Sequence, residues 1–423
     1  MLDIREIRED PDGVLTRLRR RDPSLDLSTV LSLDEERRGL VRKVEELRRR
    51  RKQGSEEVAS LQAQGKTEEA QDRIASLRAL SEELKALEDR LSQVEAALWA
   101  ELLSLPNLPH DSVPPGTKEE KVLLRTWGQP QRFDFPPKHH VELGRKLGLL
   151  DFERAAKVTG ARFPMYTGLG AMLELTLVHW MFELHVRQHG YIPVLPPILA
   201  NRTSFLVSGQ LPKFAGELYH CEEDDLFLNP TAESLLVNLH RDEILAEEEL
   251  PLRYVAYTPC FRREAGSYGE EQRGLIRVHQ FNKVELFHYT TPERSYRDLE
   301  ELVGHAEEVL KRLGLHYRVV LLPSQDLAQQ SAKTIDIEVW LPGQGKYYEV
   351  SSCSNCEAYQ ARRGNIRFRP AAGGRPKFVH TLNGSGLATS RLFAAILEQN
   401  QRPDGTVVLP EALAELLGEK ELS

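Results

Sequence analysis

A heptad repeat in the first quarter of the chain constrains the fold more than any other feature. Its apolar positions recur in steps of three and four residues, at Leu77, Leu80, Leu84, Leu87, Leu91, Val94 and Leu98. This spacing places every member on one stripe of a helix, and the stripe must pack against a second helix. A less regular series of the same period precedes it, at Leu33, Leu40, Val44, Leu47, Val58 and Leu61. The sequence therefore predicts two helices that pack along their length.

The two apolar series are separated by Gly65, with Thr67 two residues later. Glycine commonly ends a helix, and threonine commonly caps the start of the next one. We therefore predict an antiparallel helical hairpin within residues 33–103, with Thr67 as the cap of its second helix. Each arm of roughly 32 residues would be about 48 Å long. Residues 1–28 are predicted to form a short helical lead-in.

The composition is that of an ordinary globular protein, with 40% hydrophobic and 28% charged residues among 423. This length predicts two or three domains. No apolar run reaches the ~20 residues of a membrane span, and the charged N-terminus lacks the apolar core of a signal peptide. The four cysteines are too few for a disulfide framework. We expect a cytoplasmic protein that does not enter a membrane.

A proline-rich segment divides the chain. Residues 105–118 contain four prolines, which cannot continue a helix. We predict three regions: a helical arm over 1–104, a linker over 105–118 and a second domain over 119–423. The net charge of −8 disfavours indiscriminate binding of polyanions, so any affinity for RNA must come from local basic clusters.

The second domain contains a long stretch, Leu252–Tyr289, that is typical of an antiparallel hairpin. Two runs rich in Val, Tyr, Phe and Leu flank a polar segment with glycines at 266, 269 and 274. Charged residues are placed at the end of the first predicted strand and along the second, namely Arg262, Glu264, Arg277, Lys283 and Glu285. Charges are rarely buried in a sheet unless they are paired or bind a ligand. This face is therefore predicted to hold a ligand that carries both charge signs.

Other elements follow from local patterns. Apolar periodicity and alternation predict helices over 138–150, 169–189 and 293–313, and strands over 315–322, 335–340 and 347–352. Thr231 and Glu233 suit the cap and first turn of a helix that runs to about His240. Near the C-terminus we predict a strand and glycine-rich turn over Phe378–Gly386, followed by the helix Leu387–Asn400 with Arg391 in its second turn.

Three of these segments resemble the motifs of the class II aminoacyl-tRNA synthetases. Phe261-Arg262-x-Glu264 resembles motif 2, and the strings FRREAGS and RVHQFNKVE are similar to those of seryl-tRNA synthetases. Residues 190–197 resemble motif 1, and 378–400 resemble motif 3. The resemblance implies an α+β protein, with an antiparallel-sheet catalytic domain of class II type and an N-terminal antiparallel coiled-coil arm. It also implies a homodimer with Pro196 near the interface.

The resemblance further implies residues that bind ATP. They are Arg262, Arg263, Glu264, Val278, Phe281, Glu349, Val350, Ser351, Ser352 and Arg391. Arg262 and Arg391 would be catalytic, with Arg262 neutralising charge on the α-phosphate. Glu264 would accept from the adenine amino group, and adenine would lie between Phe281 and Arg391. Glu349 and Ser352 would bind Mg²⁺ through hard oxygen atoms, between the phosphates.

The implied serine pocket consists of Thr231, Ala232, Glu233, Arg262, Glu285 and Ser385. Thr231 and Glu233 would contact the ammonium group, whereas Glu285 and Ser385 would contact the hydroxyl. A buried polar group left unpaired by alanine would give strong discrimination against that amino acid. As a purely structural alternative, Thr231 and Glu233 serve only to start a helix.

The basic run Arg48, Arg49, Arg50, Arg51 and Lys52 has two interpretations. It is either a solvated helix face or, as the resemblance implies, the surface where the arm contacts tRNA phosphates. The arm itself could instead be a dimerisation rod. The implied substrates are L-serine, ATP and tRNA(Ser), with tRNA(Sec) as a second candidate. The alternatives are a synthetase-like paralogue, a class II enzyme of different amino acid specificity, and a non-catalytic RNA-binding protein.

Cys353 and Cys356 have the CxxC spacing found in zinc sites. A structural zinc ion needs four ligands, and the remaining Cys221 and Cys260 are far apart in sequence. We therefore disfavour a metal here and interpret Cys356 as a packing residue.

Overall fold

The computed structural model describes residues 1–264 and 273–423. The chain divides into two compact units, the smaller formed by Leu2–Arg19 and Pro23–Leu105, the larger by Met1, Arg20–Asp22 and Pro106–Ser423. The loop glycines at 266 and 269 lie outside the described residues. Within the part of the chain described, no helix has the length and apolar character needed to cross a membrane.

The helices begin and end as follows: α1 Ile4–Glu9, α2 Pro11–Arg19, α3 Ser28–Ala63, α4 Thr67–Ser104, α5 His140–Lys146, α6 Phe152–Thr159, α7 Leu169–Arg187, α8 Arg202–Ser208, α9 Glu233–Leu236, α10 Ser295–Arg312, α11 Tyr359–Gly364, α12 Thr389–Gln399 and α13 Glu411–Leu417. The strands are β1 Val122–Trp127, β2 Ile192–Val194, β3 Leu199–Asn201, β4 His220–Cys221, β5 Leu226–Leu228, β6 Ile244–Ala246, β7 Leu252–Phe261, β8 Gln280–Thr290, β9 Tyr317–Leu321, β10 Lys333–Leu341, β11 Lys346–Asn355, β12 Arg367–Arg369, β13 Lys377–Phe378, β14 His380–Ala388, β15 Val407–Val408 and β16 Glu421–Leu422.

In the smaller unit, α3 and α4 form the predicted antiparallel hairpin. Ion pairs Glu57–Arg73 near the turn and Glu36–Arg90 farther from it show that the helices run in opposite directions. The apolar seam is buried between them, with Val44, Leu47 and Leu84 at its centre. The capping role predicted for Thr67 is wrong. Lys66 occupies the cap position and no side chain bonds there, because Thr67 is already the first helical residue.

The larger unit is built on one eight-stranded sheet, in the order β1-β9-β10-β11-β14-β8-β7-β2. Neighbouring strands are antiparallel, except that the edge strand β2 runs parallel to β7. The core consists of apolar side chains from the sheet together with those of α7, α10 and α12. The predicted α+β fold, with an antiparallel sheet and a helical arm, is confirmed.

Several predicted boundaries shift. The hairpin forms, with Phe261 opposite Gln280, so Arg262 and Glu264 follow β7 and Arg277 precedes β8 rather than lying in it. The helix expected to start after a Thr231 cap and to run to about His240 is the short α9. Its cap position is Ala232 instead of Thr231, and the chain turns after Leu236. The helix predicted over 138–150 covers only His140–Lys146, and Leu147 is its C-cap.

The segment resembling motif 3 also differs from its prediction. The glycine-containing residues 383–386 form part of β14 instead of a turn, since residues 383–385 and Ala388 pair with β8. Consequently α12 begins only at Thr389, and Arg391 lies in its first turn, not its second.

Candidate active site

A cavity of about 240 Å³ is lined mainly by residues of β8, β11 and β14 and by the start of α12. It brings together most of the predicted site residues: Thr231, Glu233, Arg262, Glu264, Val278, Phe281, Glu285, Glu349, Ser352, Ser385 and Arg391. These residues are spread over more than 150 positions of sequence, and the sheet order places their elements next to one another.

Glu233 is a buried carboxylate held in a fixed orientation. Its Oε1 accepts hydrogen bonds from Gln330 Nε2 at 3.0 Å, Gln360 Nε2 at 2.7 Å and Asn383 Nδ2 at 3.0 Å. All three bonds end on Oε1, and Glu233 is one of the residues that line the cavity. Burial, reinforced by the nearby charge of Glu285, raises the pKa of Glu233 to about 7.

A second buried carboxylate, Glu285, is paired with a cation on the same face of β8. Glu285 Oε2 forms an ion pair with Lys283 and accepts a hydrogen bond from the Thr231 hydroxyl at 3.1 Å. Lys283 Nζ in turn donates to Thr231 Oγ1 at 2.6 Å. Thr231 also accepts from the Glu233 backbone N–H at 3.3 Å. The hydroxyl of Thr231 therefore ties the Glu285 carboxylate and the Lys283 ammonium group to the backbone of Glu233.

Ser385 lies directly opposite Glu285, as its partner on β14. Side chains of directly paired residues lie on the same face of a sheet, so both face the cavity. The backbone carbonyl of Ser385 accepts a hydrogen bond from Ser351 Oγ at 2.7 Å, which fixes this part of β14. The pair predicted to contact the serine hydroxyl is thus brought together.

Arg262 and Phe281 are in contact. The guanidinium carbon of Arg262 lies 5.1 Å from the centre of the Phe281 ring, within the range of a cation–π interaction. Glu264 is ion-paired with Arg277. The backbone of Glu264 has φ of +51°, a left-handed conformation that is strained for a residue with a Cβ and is often found at functional sites.

Arg391 is anchored to the two sides of the cavity. Its Nε donates to the backbone carbonyl of Ile276 at 2.9 Å, and its Nη1 donates to that of Glu349 at 2.6 Å. Nη1 also lies 3.6 Å from Glu349 Oε2. The first turn of α12 is thereby linked to the segment before β8 and to β11.

Glu349 and Ser352 face the cavity together because of a β-bulge. Positions three apart on a regular strand point to opposite faces. Here Glu349 pairs with Glu338, and Ser351 pairs with Ile337, which leaves Val350 as an extra residue. The bulge resets the alternation, so Val350 and Ser351 are buried while Glu349 and Ser352 line the cavity. Their carboxylate and hydroxyl oxygens fit the donor preference of Mg²⁺.

Four of the residues predicted to bind serine or ATP do not line the cavity with their side chains. Ala232 and Val350 are buried among apolar residues, Ser351 bonds to the Ser385 carbonyl, and Arg263 is exposed. The backbone N–H of Arg263 donates to Glu217 O at 2.9 Å. Cys353 and Cys356 are both fully buried, and Cys356 Sγ accepts from Asn383 Nδ2 at 3.6 Å.

The sequence placed Arg277 and Lys283 on the face predicted to hold a ligand but gave neither of them a specific role, and both line the cavity. Sequence reasoning missed the three amide side chains that orient Glu233, namely Gln330, Gln360 and Asn383. These three side chains carry no signal in the sequence, because their segments meet only in the folded chain.

Both units of the chain are similar to known protein families. Residues 217–400 match the tRNA synthetase class II core domain (G, H, P, S and T), and residues 1–109 match the seryl-tRNA synthetase N-terminal domain. A serine–tRNA ligase of Thermodesulfovibrio yellowstonii is 52% identical over 420 residues, which cover 99% of each chain. One from Desulforapulum autotrophicum is 50% identical over 422 residues, covering 100% of this chain and 98% of the relative. The crystal structure of a Pyrococcus horikoshii seryl-tRNA synthetase complexed with ATP superposes with a TM-score of 0.93 at 38% identity, covering 100% of this chain and 99% of the other.

Proposed function

This chain belongs to the seryl-tRNA synthetases, a family of aminoacyl-tRNA ligases, and we propose that the cavity is where its serine and ATP react. A carboxylate oxygen of serine attacks the α-phosphorus of ATP. The bond from that phosphorus to pyrophosphate breaks, which yields seryl-adenylate. Serine is then transferred to the 3′ end of tRNA(Ser), with AMP as the leaving group. tRNA(Sec) is a second candidate acceptor.

The observation that carries this proposal is the fixed orientation of Glu233. Three amide donors hold one of its oxygens, and the other is available to the ammonium group of an amino acid. In our proposal the serine hydroxyl lies between Glu285 and Ser385. Alanine would leave this buried polar pair without its partner, which is the basis for discrimination.

At the other end of the cavity, we propose that Arg262 neutralises the α-phosphate of ATP and that Arg391 lies on the face of adenine opposite Phe281. Phosphoryl transfer of this kind depends on positioning and on charge stabilisation more than on a protein nucleophile. Adenine would lie against Phe281, so Arg262 would have to give up part of its present contact with that ring. Glu264 is the proposed acceptor for the adenine amino group.

Glu349 and Ser352 are the residues that would hold Mg²⁺. When bound, the ion would neutralise phosphate charge as the pyrophosphate leaves. The bulge at Val350 supports this role because it brings both oxygen donors to one face.

We also propose that the helical arm contacts tRNA and that the protein is a homodimer. The side chains of Arg48, Arg49, Arg50, Arg51 and Lys52 are exposed, although Arg48 pairs with Glu88. Exposed apolar residues on and near the element resembling motif 1 support dimerisation, with Met172 54%, Leu175 61% and Leu195 78% exposed. A stable monomer in sedimentation at micromolar concentration would rule out the dimer.

The decisive experiment is exchange of labelled pyrophosphate into ATP, run separately with each of the twenty amino acids. Serine should support exchange, and alanine, glycine, threonine and cysteine should support it weakly or not at all. Equal or better exchange with another amino acid would overturn the assigned specificity. A variant with Glu233→Gln provides the matched control, because its shape is kept and its charge is lost.

A further inference from the structure

Glu174, in α7, is a buried carboxylate that does not line the cavity. It is only 3% exposed. Its Oε1 accepts a hydrogen bond from Asn282 Nδ2 at 2.8 Å and another from the hydroxyl of Thr389. Burial raises its pKa to about 7. Burying a carboxyl group costs free energy of folding unless hydrogen bonds compensate for the lost water. The hydrogen-bond partners of Glu174 therefore indicate what the group stabilises.

The two partners of Glu174 belong to two different walls of the cavity. Asn282 lies in β8 between Phe281 and Lys283, whose side chains line the cavity. Thr389 is the first residue of α12, two positions before Arg391. The Thr389 hydroxyl also contacts the Asn282 carbonyl oxygen at 3.1 Å. One carboxylate oxygen therefore joins α7, β8 and α12.

We propose that Glu174 is a positioning residue for ATP, which holds β8 and α12 at the separation where Phe281 and Arg391 flank the adenine. This inference rests on the proposed placement of adenine between those two side chains. Glu174 itself does not line the cavity, so its effect is exerted through Asn282 and Thr389.

The contacts indicate that Glu174 acts through its hydrogen-bond acceptor oxygen and not through its charge. Both bonds end on Oε1, while Oε2 has no hydrogen-bond partner among the described residues. Glutamine keeps an acceptor oxygen at the same reach, whereas alanine removes it and leaves the amide of Asn282 without its acceptor.

The test measures ATP affinity by calorimetry without serine, together with the KM values for ATP and serine in pyrophosphate exchange. Glu174→Ala should raise the Kd and KM for ATP about tenfold, as expected when one acceptor of two hydrogen bonds is removed. The KM for serine should change less than about twofold, since Glu233 and Glu285 are held by other residues. Glu174→Gln should restore ATP affinity to near that of the unchanged protein.

Thr389→Val provides an independent test, with Thr389→Ser as its matched control. Valine removes only the hydroxyl that reaches Glu174, so it should weaken ATP binding, whereas serine should not. Combined with Glu174→Ala, Thr389→Val should weaken binding little further, because both remove the same hydrogen bond. Thr389→Val decides the question if Glu174→Ala fails to fold.

Two results would overturn the inference. One is unchanged ATP affinity in folded Glu174→Ala or in Thr389→Val. The other is an equal rise in the KM values for ATP and serine, which would indicate a general structural role. Phe281→Ala tests the placement of adenine separately. If this variant keeps its ATP affinity, adenine does not lie against Phe281, and the inference about Glu174 is rejected together with that placement.

Discussion

Lys283 and Glu285 form an ion pair within the cavity, although both side chains are almost completely buried. Breaking such a pair is costly because it leaves one charge unpaired in a poorly solvated place. In the proposed serine pocket, this pair would also set the charge next to the amino acid, since Lys283 offsets the negative charge of Glu285.

The first prediction concerns Glu285→Gln. The change keeps the shape of the side chain and removes its charge, so it should raise the KM for serine and narrow the preference for serine over alanine. ATP affinity should change little. Pyrophosphate exchange with both amino acids provides the measurement. Weakened ATP binding with serine selectivity intact would show that the pocket is assigned to the wrong end of the cavity.

The second prediction concerns pH. The pKa of Glu233 is raised to about 7, so the group is increasingly neutral as the pH falls below that value. Only the ionised form attracts the serine ammonium group, and the KM for serine at pH 6 should therefore be about tenfold above its plateau at high pH.

The matched variant for this pH profile is Glu233→Gln. It should bind serine weakly at every pH between 6 and 8 and should lose the rise at low pH. A rise of the same size in the glutamine variant would assign the titration to another group.

The third prediction concerns Arg262→Ala. Charge builds on the α-phosphate only in the transition state, so the loss of this guanidinium should lower kcat for adenylate formation roughly 10²–10³-fold, as when one preorganised donor is removed. The KM for serine should change much less. Arg402→Ala removes an arginine that pairs with Glu421 at the surface, and it should leave kcat unchanged. A similar decrease in both variants would contradict the prediction.

The fourth prediction concerns the arm. Deletion of residues 33–103 should spare serine-dependent pyrophosphate exchange and greatly weaken aminoacylation of tRNA. Unchanged charging of tRNA by the folded truncation would refute the role of the arm.

A finer test of the arm compares two double substitutions. Arg49→Gln with Arg50→Gln should lower the slope of log affinity for tRNA against log salt by about 2, one unit for each phosphate that is no longer neutralised. Arg78→Gln with Lys85→Gln removes the same charge from exposed positions of α4. Equal effects of the two pairs would mean that the basic run does not bind tRNA specifically.

The sequence predicted the features that depend on local pattern. The heptad seam indicated the helical hairpin, and alternation with internal charges indicated the strands of the cavity. The start of α12 was misplaced, because β14 pairs with β8 as far as Ala388, and this pairing overrides local preference. The end of α9 was misplaced because the chain turns after Leu236. The amides that orient Glu233 were missed for a related reason, since Gln330, Gln360 and Asn383 come from three segments that meet only after folding.

The bulge at Val350 has a consequence for recognising proteins of this kind. Two side chains share a face of a strand when the number of steps between them is even, and the extra residue makes three steps act as two. A chain that lacked one residue here could keep both oxygen donors on the cavity with an unbroken strand. The site therefore requires an even effective number of steps between the two oxygen donors, not a fixed number of residues. A sequence search that fixes the spacing of Glu349 and Ser352 would overlook sites with the same arrangement.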